Sequence, residues 1–275
     1  MSASRLEQDF GVPPDLIDDL VLANRILAQH QVLDTFGHVS IRYNRDSDGR
    51  DGEALFLLAT YNAPAYVKRD DIAIYRVSTG EPADETEKRK GALERHLHAG
   101  VYRACAGVQS VLHCHAPVLV SFSILSPGES GLKPVIHVAA SAGSKIPTYD
   151  IAHKNGDHTS LLINTPGRGD DFASSFGPAG GREGPRMVLM RGHGATIVSP
   201  ENVRDLVHRG IYAVVNAAIY RDALLMSRVM LSEGPRALSE GEIEACGSEV
   251  NAVARSWPAW VSALGADNGL ERSKP

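Results

Sequence analysis

The chain has 275 residues, 43% hydrophobic and 22% charged, with a formal net charge of -5. That composition suits a globular chain, offers no basic footprint for nucleic acid, and contains no apolar run approaching the ~20 residues that cross a bilayer. Cys105, Cys114 and Cys246 form an odd, sparse set without a CxxC pair, which points away from a disulfide scaffold and toward a reducing, cytoplasmic setting. The opening MSASRLEQDFGVPPDL shows no apolar segment of a secretory signal.

Residues 14–31 are expected to be helical, because Leu16, Leu20, Ala23 and Leu27 recur at helical spacing and prolines sit before or at the first turn. DTFGHVSIR follows at 34–42. Gly37 permits a tight turn, and 39–43 alternates as a strand with Val39 and Ile41 inward. His38, Ser40 and Arg42 then share the other side. A polar face with a cation suits an anionic ligand; an edge strand with a wet face fits the same pattern. A loop is expected over 44–53 (NRDSDGRDGE), and strands over 54–60 and 72–77.

Residues 87–105 read as a helix, with Leu93, Leu97 and Val101 on one stripe. Within it Glu94 and His98 lie one turn apart. Glu94 can reach a metal or act as acid/base beside one; taken alone, it reads as a solvated helix residue and His98 as a packed one. His96 falls on another face and has no assigned role. The strand 108–114 ends in HCHAP. His113 and His115 project to the same side, and imidazoles suit divalent ions. Two half-buried histidines bonded to backbone account for HxH equally well. A glycine- and charge-rich loop, either a lid or plain surface, is expected over 165–185 (TPGRGDDFASSFGPAGGREGP).

Strands at 187–190 and 195–198 flank the turn 191–194, where RGHG holds His193 between two glycines. Three histidines occupy one face of a metal and leave positions open for water or substrate. A long helix is expected over 200–227 with Ser199 as N-cap, and Ser239 with Glu242 signals the start of a last helix. Trp257 and Trp260 are candidate anchors for the tail. Helices and paired strands together imply an α/β sandwich around a mixed or antiparallel sheet. We read one domain over 1–275, with a C-terminal helical extension from about residue 232.

The motif order is a helix, then GHVSIR, E-x-x-x-H, HxHxP, and RGHG ahead of a long helix. Over roughly residues 15–230 this resembles the class II aldolase/adducin family. The resemblance implies a three-layer α/β/α sandwich around a mixed, largely antiparallel sheet, and a homotetramer with active sites near subunit interfaces. It also implies metal ligands at His113, His115 and His193 and an acid/base carboxylate at Glu94.

Sugar-phosphate aldolases of the family cradle phosphate with SGN, Thr-x-x-Gly and SSE segments. Here these read Phe36-Gly37-His38, Thr60-Tyr61-Asn62-Ala63 and Ala92-Leu93-Glu94. The small hydroxyl and glycine donors are largely gone, which implies a flatter, more apolar ligand contacted by Phe36, Ser40, Arg42, Tyr61 and Asn62. The pattern is most similar to the decarboxylase branch, which includes 3-hydroxy-2-methylpyridine-4,5-dicarboxylate decarboxylase. The implied reaction is decarboxylation of a hydroxylated aromatic or heteroaromatic acid in aromatic compound catabolism. It runs through an enolate-like intermediate stabilised by one divalent metal acting as a Lewis acid. Mn²⁺ is the first choice, with Zn²⁺, Fe²⁺ and Co²⁺ open; Glu94 or His38 then protonates the carbon. An aldolase on a non-phosphorylated substrate, an Fe(II)-dependent oxygenase of a hydroxyphenyl acid and a metal-free adducin-like module are the alternatives.

Overall fold

A computed structural model of the chain describes residues 4–44, 53–125, 131–177, 180, 183–230, 233–248 and 252–270. The loop expected at 44–53 lies outside the described residues except for its two ends. In chain order the first elements are α1 (Arg5–Phe10), α2 (Pro14–Gln29), β1 (His38–Asn44), β2 (Ala54–Ala59), β3 (Ile72–Arg76), α3 (Arg95–Ala104), β4 (Ser110–Cys114) and α4 (Pro117–Ser123). The rest are β5 (Thr148–Tyr149), α5 (Ala152–Asn155), α6 (Pro166–Ala173), β6 (Met187–Met190), β7 (Gly194–Ser199), α7 (Val203–Met230), α8 (Glu240–Ser248) and α9 (Ala252–Ala263).

The strands form a single sheet in the order β3-β2-β1-β4-β7-β6-β5. Every pairing is antiparallel except β5 with β6, so the sheet is mixed and largely antiparallel as expected. Strand β2 shows why both faces are covered. Its apolar run ALFLLA sends Leu55 and Leu57 to one side and Phe56 and Leu58 to the other, and all four are buried. On the first side lie Leu20, Leu27, Leu206 and Val207 of α2 and α7. On the second lie Leu97, Val101, Phe172 and Ala173 of α3 and α6. Each such side chain contributes about 1.5–3 kcal/mol when withdrawn from water. The result is the three-layer α/β/α sandwich.

Four expectations need correction. Strand β1 is internal, between β2 and β4, so its polar side is covered by α3 rather than wet. The helix expected from residue 87 starts only at Arg95. The backbone before it is drawn to the end of β2: Tyr61 N–H donates to Lys90 O at 2.8 Å, and Thr60 bridges Gly91. Helix α7 is capped by Asn202, whose Oδ1 accepts from Asp205 N–H at 3.0 Å. Ser199 instead donates to the Asp205 carboxylate at 2.5 Å.

The fourth is the loop at 165–185, which contains α6 and a short 3-10 turn over Ser174–Phe176. Thr165 caps the helix, Pro166 occupies its first turn, and Phe172 and Ala173 are buried against α3. Its Gly169 marks contact rather than looseness. A Cβ at Gly100 of α3 would stand 2.3 Å from Gly169 O, so the two helices touch backbone to backbone.

At the C-terminus the capping box forms as expected: Ser239 N–H donates to Glu242 Oε2 at 2.7 Å, and Glu242 N–H to Ser239 Oγ at 3.2 Å. In α9, Trp257 is buried with the Arg204 guanidinium over its ring, and Trp260 meets the edge of His30. That helix therefore packs on α2 and α7 of its own chain. Among the described residues no helix is long and apolar enough to cross a membrane.

Candidate metal centre

Register brings the histidines together. His113, near the end of β4, pairs with His38 of β1 on one side and Thr196 of β7 on the other. His115 follows the end of β4, on the same side of the chain as His113. His193 sits in the tight turn that joins β6 to β7. A Cβ at Gly194 would lie 2.1 Å from Cys114 O, so a glycine there lets the turn close onto β4 and carry His193 beside His113.

The outer nitrogen of each ring is occupied. His113 Nδ1 faces Thr196 Oγ1 at 3.3 Å, His115 Nδ1 faces both Asp34 carboxylate oxygens at 3.2 Å, and His193 Nδ1 donates to Leu161 O at 3.0 Å. That leaves the three Nε2 atoms to converge: His113 Nε2 lies 3.0 Å from that of His115 and 3.3 Å from that of His193. Glu94, flanking the first turn of α3, adds Oε2 at 3.4 Å from the Nε2 atoms of His113 and His193. Its other oxygen accepts from Ile163 N–H at 2.7 Å.

This donor set fits a divalent ion. Metal–nitrogen bonds of about 2.1 Å place neighbouring ligands about 3.0–3.4 Å apart in octahedral or tetrahedral sites. Oriented outer nitrogens are the usual companions of metal-bound imidazoles. The backbone also shows strain at this point: Leu161, whose carbonyl holds His193, has φ +62. Left-handed backbone at a non-glycine residue persists where the surroundings impose it.

Charge follows the same geometry. Burial pushes the His113 imidazole down to about 4, against the opposing pull of Glu94. Burial alone would raise the Glu94 carboxyl, but the charges and hydrogen bonds of His113 and His193 overcome it and hold the group well below the usual carboxylate range. Burial would lower His193, and Glu94 reverses that and holds it above 6.5.

A cavity of about 570 Å³ opens from this cluster. Glu94, His115, His193 and His38 line its floor, while Phe36, Tyr61 and Asn62 stand on its wall. Leu93 and Leu162 extend that wall, and no lysine or arginine lines the cavity among the described residues. Ser40 and Arg42 lie elsewhere, which corrects their expected contact with substrate. Ser40 is fully buried behind His38. Arg42 donates to the Val108, Tyr102 and Cys105 carbonyls at 2.7, 2.7 and 3.1 Å, tying down the C-terminal end of α3. His98, read as a packed residue, is indeed buried, with its Nε2 2.7 Å from His38 Nδ1.

Asp34, Thr196, Leu161 and Ile163 had no role in the sequence reading. Asp34 carried a signal, since Asp two and three residues ahead of free amides forms an Asx turn; its carboxylate accepts from Phe36 and Gly37 N–H. The other three act through register or backbone and leave no residue-type signature.

Comparison with known proteins agrees with this geometry. The family model described as the Class II Aldolase and Adducin N-terminal domain matches residues 18–220. The decarboxylase tropJ of Talaromyces stipitatus is 32% identical over 247 residues, covering 86% of this chain and 89% of that protein. Among solved structures, an aldolase II superfamily protein from Pseudomonas syringae superposes with a TM-score of 0.67 at 16% identity, covering 93% of this chain and 95% of that one. The L-fuculose 1-phosphate aldolase of Glaciozyma antarctica gives a TM-score of 0.62 at 16% identity, with 96% and 92% covered.

Proposed function

The chain belongs to the class II aldolase and adducin family and is a carbon–carbon lyase, and on that premise we propose that it decarboxylates a hydroxylated aromatic or heteroaromatic carboxylic acid with the help of a divalent metal. The observation that carries the reading is the convergence of three histidine Nε2 atoms and one Glu94 oxygen at the floor of an otherwise largely apolar cavity. The likeness to a decarboxylase over most of the chain supports the reaction class.

In this reading His113, His115 and His193 hold the metal, with Glu94 beside them. When bound, the ion supplies a Lewis acid to a hydroxyl or oxo group next to the leaving carboxylate. Manganese is our first choice, with zinc, iron and cobalt able to occupy the same nitrogens. Phe36, Tyr61 and Leu93 give a flat ring an apolar wall, and Asn62 gives it a polar edge. Glu94 Oε1 is fixed by the Ile163 amide, so its ionised second oxygen is held where it can take a proton from water and relay it to the carbon that lost CO₂. His38 lines the same cavity and serves as a second proton-bearing group.

We assign the working form as a homo-oligomer, a tetramer by family precedent. Exposed Leu225, Met226, Val229 and Met230 at the end of α7 support an apolar contact between copies. Free Cys105, Cys114 and Cys246 support a cytoplasmic setting.

The test is CO₂ release from a panel of hydroxylated aromatic acids by protein loaded in turn with each ion, under air and under nitrogen. Release of CO₂ without oxygen uptake is the expected result. Oxygen consumption would replace the reading with an oxygenase, an aldehyde product with an aldolase, and failure to bind any ion with a non-catalytic module.

A further inference from the structure

Three polar side chains behind His38 take no part in the reaction as described. His38 Nδ1 lies 2.7 Å from His98 Nε2, His98 Nδ1 lies 2.6 Å from Ser40 Oγ, and Ser40 Oγ lies 2.8 Å from the Tyr102 hydroxyl. Strand β1 supplies His38 and Ser40 two residues apart, and α3 supplies His98 and Tyr102 four residues apart, so the two elements interlock through this row. All four side chains are buried.

Each link of such a row has one donor and one acceptor, so the whole row points one way. Its far end sets the direction. Among the described residues the Tyr102 hydroxyl has Ser40 Oγ as its one hydrogen-bond partner, so Ser40 is the acceptor for the Tyr102 proton. Ser40 then donates to His98 Nδ1. His98 in turn donates from Nε2 to His38 Nδ1, and the His38 proton resides on Nε2. The opposite direction strands the Tyr102 O–H in the interior without an acceptor, which proteins avoid.

We propose that Tyr102, Ser40 and His98 are positioning residues that hold His38 in the Nε2–H tautomer, so that it offers the cavity a hydrogen-bond donor for an oxygen of an anionic substrate. No lysine or arginine lines the cavity among the described residues, so a substrate anion there meets neutral donors, of which His38 is one beside Thr60, Tyr61 and Asn62. The functional half of the inference rests on the cavity being the substrate site; the tautomer does not.

The test uses full-length protein labelled with ¹⁵N-histidine, zinc-loaded or metal-free, and reads the His38 tautomer by long-range proton–nitrogen correlation. His38→Asn identifies the signals. Wild type is expected to show one His38 tautomer, protonated on Nε2. Ser40→Ala removes the hydroxyl that donates to His98 Nδ1, so nothing fixes that nitrogen, and is expected to give a mixture of His38 tautomers with metal content unchanged. KM for the acid should rise in proportion to the Nε2–H population that is lost, while turnover number moves little. A wild-type His38 protonated on Nδ1 overturns the proposal, even if the variant fails to fold. So does a Ser40→Ala protein with wild-type tautomer and KM. Loss of the parent reading shows differently, as absent metal binding or absent CO₂ release in a protein whose tautomer is as stated.

Discussion

Both carboxylate oxygens of Asp34 lie 3.2 Å from His115 Nδ1. The same side chain accepts from Phe36 and Gly37 N–H at 2.9 and 2.8 Å. One carboxylate thus orients an imidazole of the candidate metal centre and shapes the turn that carries a wall residue of the cavity. Asp34→Asn keeps the turn acceptor but sets an amide N–H against the imidazole N–H. Metal affinity should weaken about 10–100-fold with the fold intact. Competition with a chromogenic chelator measures it, and unchanged affinity would remove Asp34 from the centre.

His115→Ala should yield folded protein without its metal and without turnover. His115 is less buried than His113, so its loss leaves the β4–β7 pairing in place. Elemental analysis beside circular dichroism gives the answer, and a metal-loaded, active variant would sink the ligand assignment.

Glu94→Gln retains the acceptor for Ile163 N–H and nearly the same shape. Turnover should fall about 10²–10⁴-fold while metal content stays within a small factor. Single-turnover kinetics with elemental analysis separates the two effects. Near wild-type turnover would take Glu94 out of the proton path.

Metal affinity should rise as pH rises through and above 6.5. In the metal-free protein Glu94 holds the His193 imidazole above 6.5. Protonated His193 therefore stabilises the metal-free fold at low pH, and that contribution is lost as pH rises through its raised pKa. A metal must displace the same proton, so binding strengthens over the same window. Titration calorimetry in buffers of different ionisation enthalpy counts the released proton, and a pH-independent affinity would contradict the Glu94–His193 coupling.

Gly100→Ala should destabilise the protein. Alanine improves helix propensity by about 1 kcal/mol, but its Cβ would press on Gly169 O at 2.3 Å. Overpacking costs about 1–3 kcal/mol or more, so the clash prevails. Thermal unfolding reads the balance; a rise in Tm would mean that α3 and α6 are not in backbone contact.

The strands of the sandwich were readable from two patterns: alternation at 39–43, with Val39 and Ile41 inward, and the continuous apolar run of β2, buried on both faces. The histidines were readable because HxH and RGHG combine a metal-binding side chain with a chain reversal. Two kinds of information were hidden. Glycine carries opposite meanings, so Gly169 suggested a loop where it permits helix contact. Arg42 suggested an anion site because its true partners are main-chain carbonyls, which have no letter in the sequence. Nor did spacing reveal that β1 is flanked on both sides, so Ser40 was expected at a wet surface that α3 covers.

The metal centre also has a place in time. His113 and Thr196 are 83 residues apart in sequence, and His113 and His193 are 80 apart, yet the β4–β7 ladder sets them side by side. Pairings of such separation form late, because closing a long loop precedes any reward from contact. An ion that needs all three imidazoles therefore binds a chain whose central sheet is already joined, and favours that state over earlier, half-assembled ones. The candidate metal site would then act as a latch on the β4–β7 pairing, the sheet contact with the widest sequence separation.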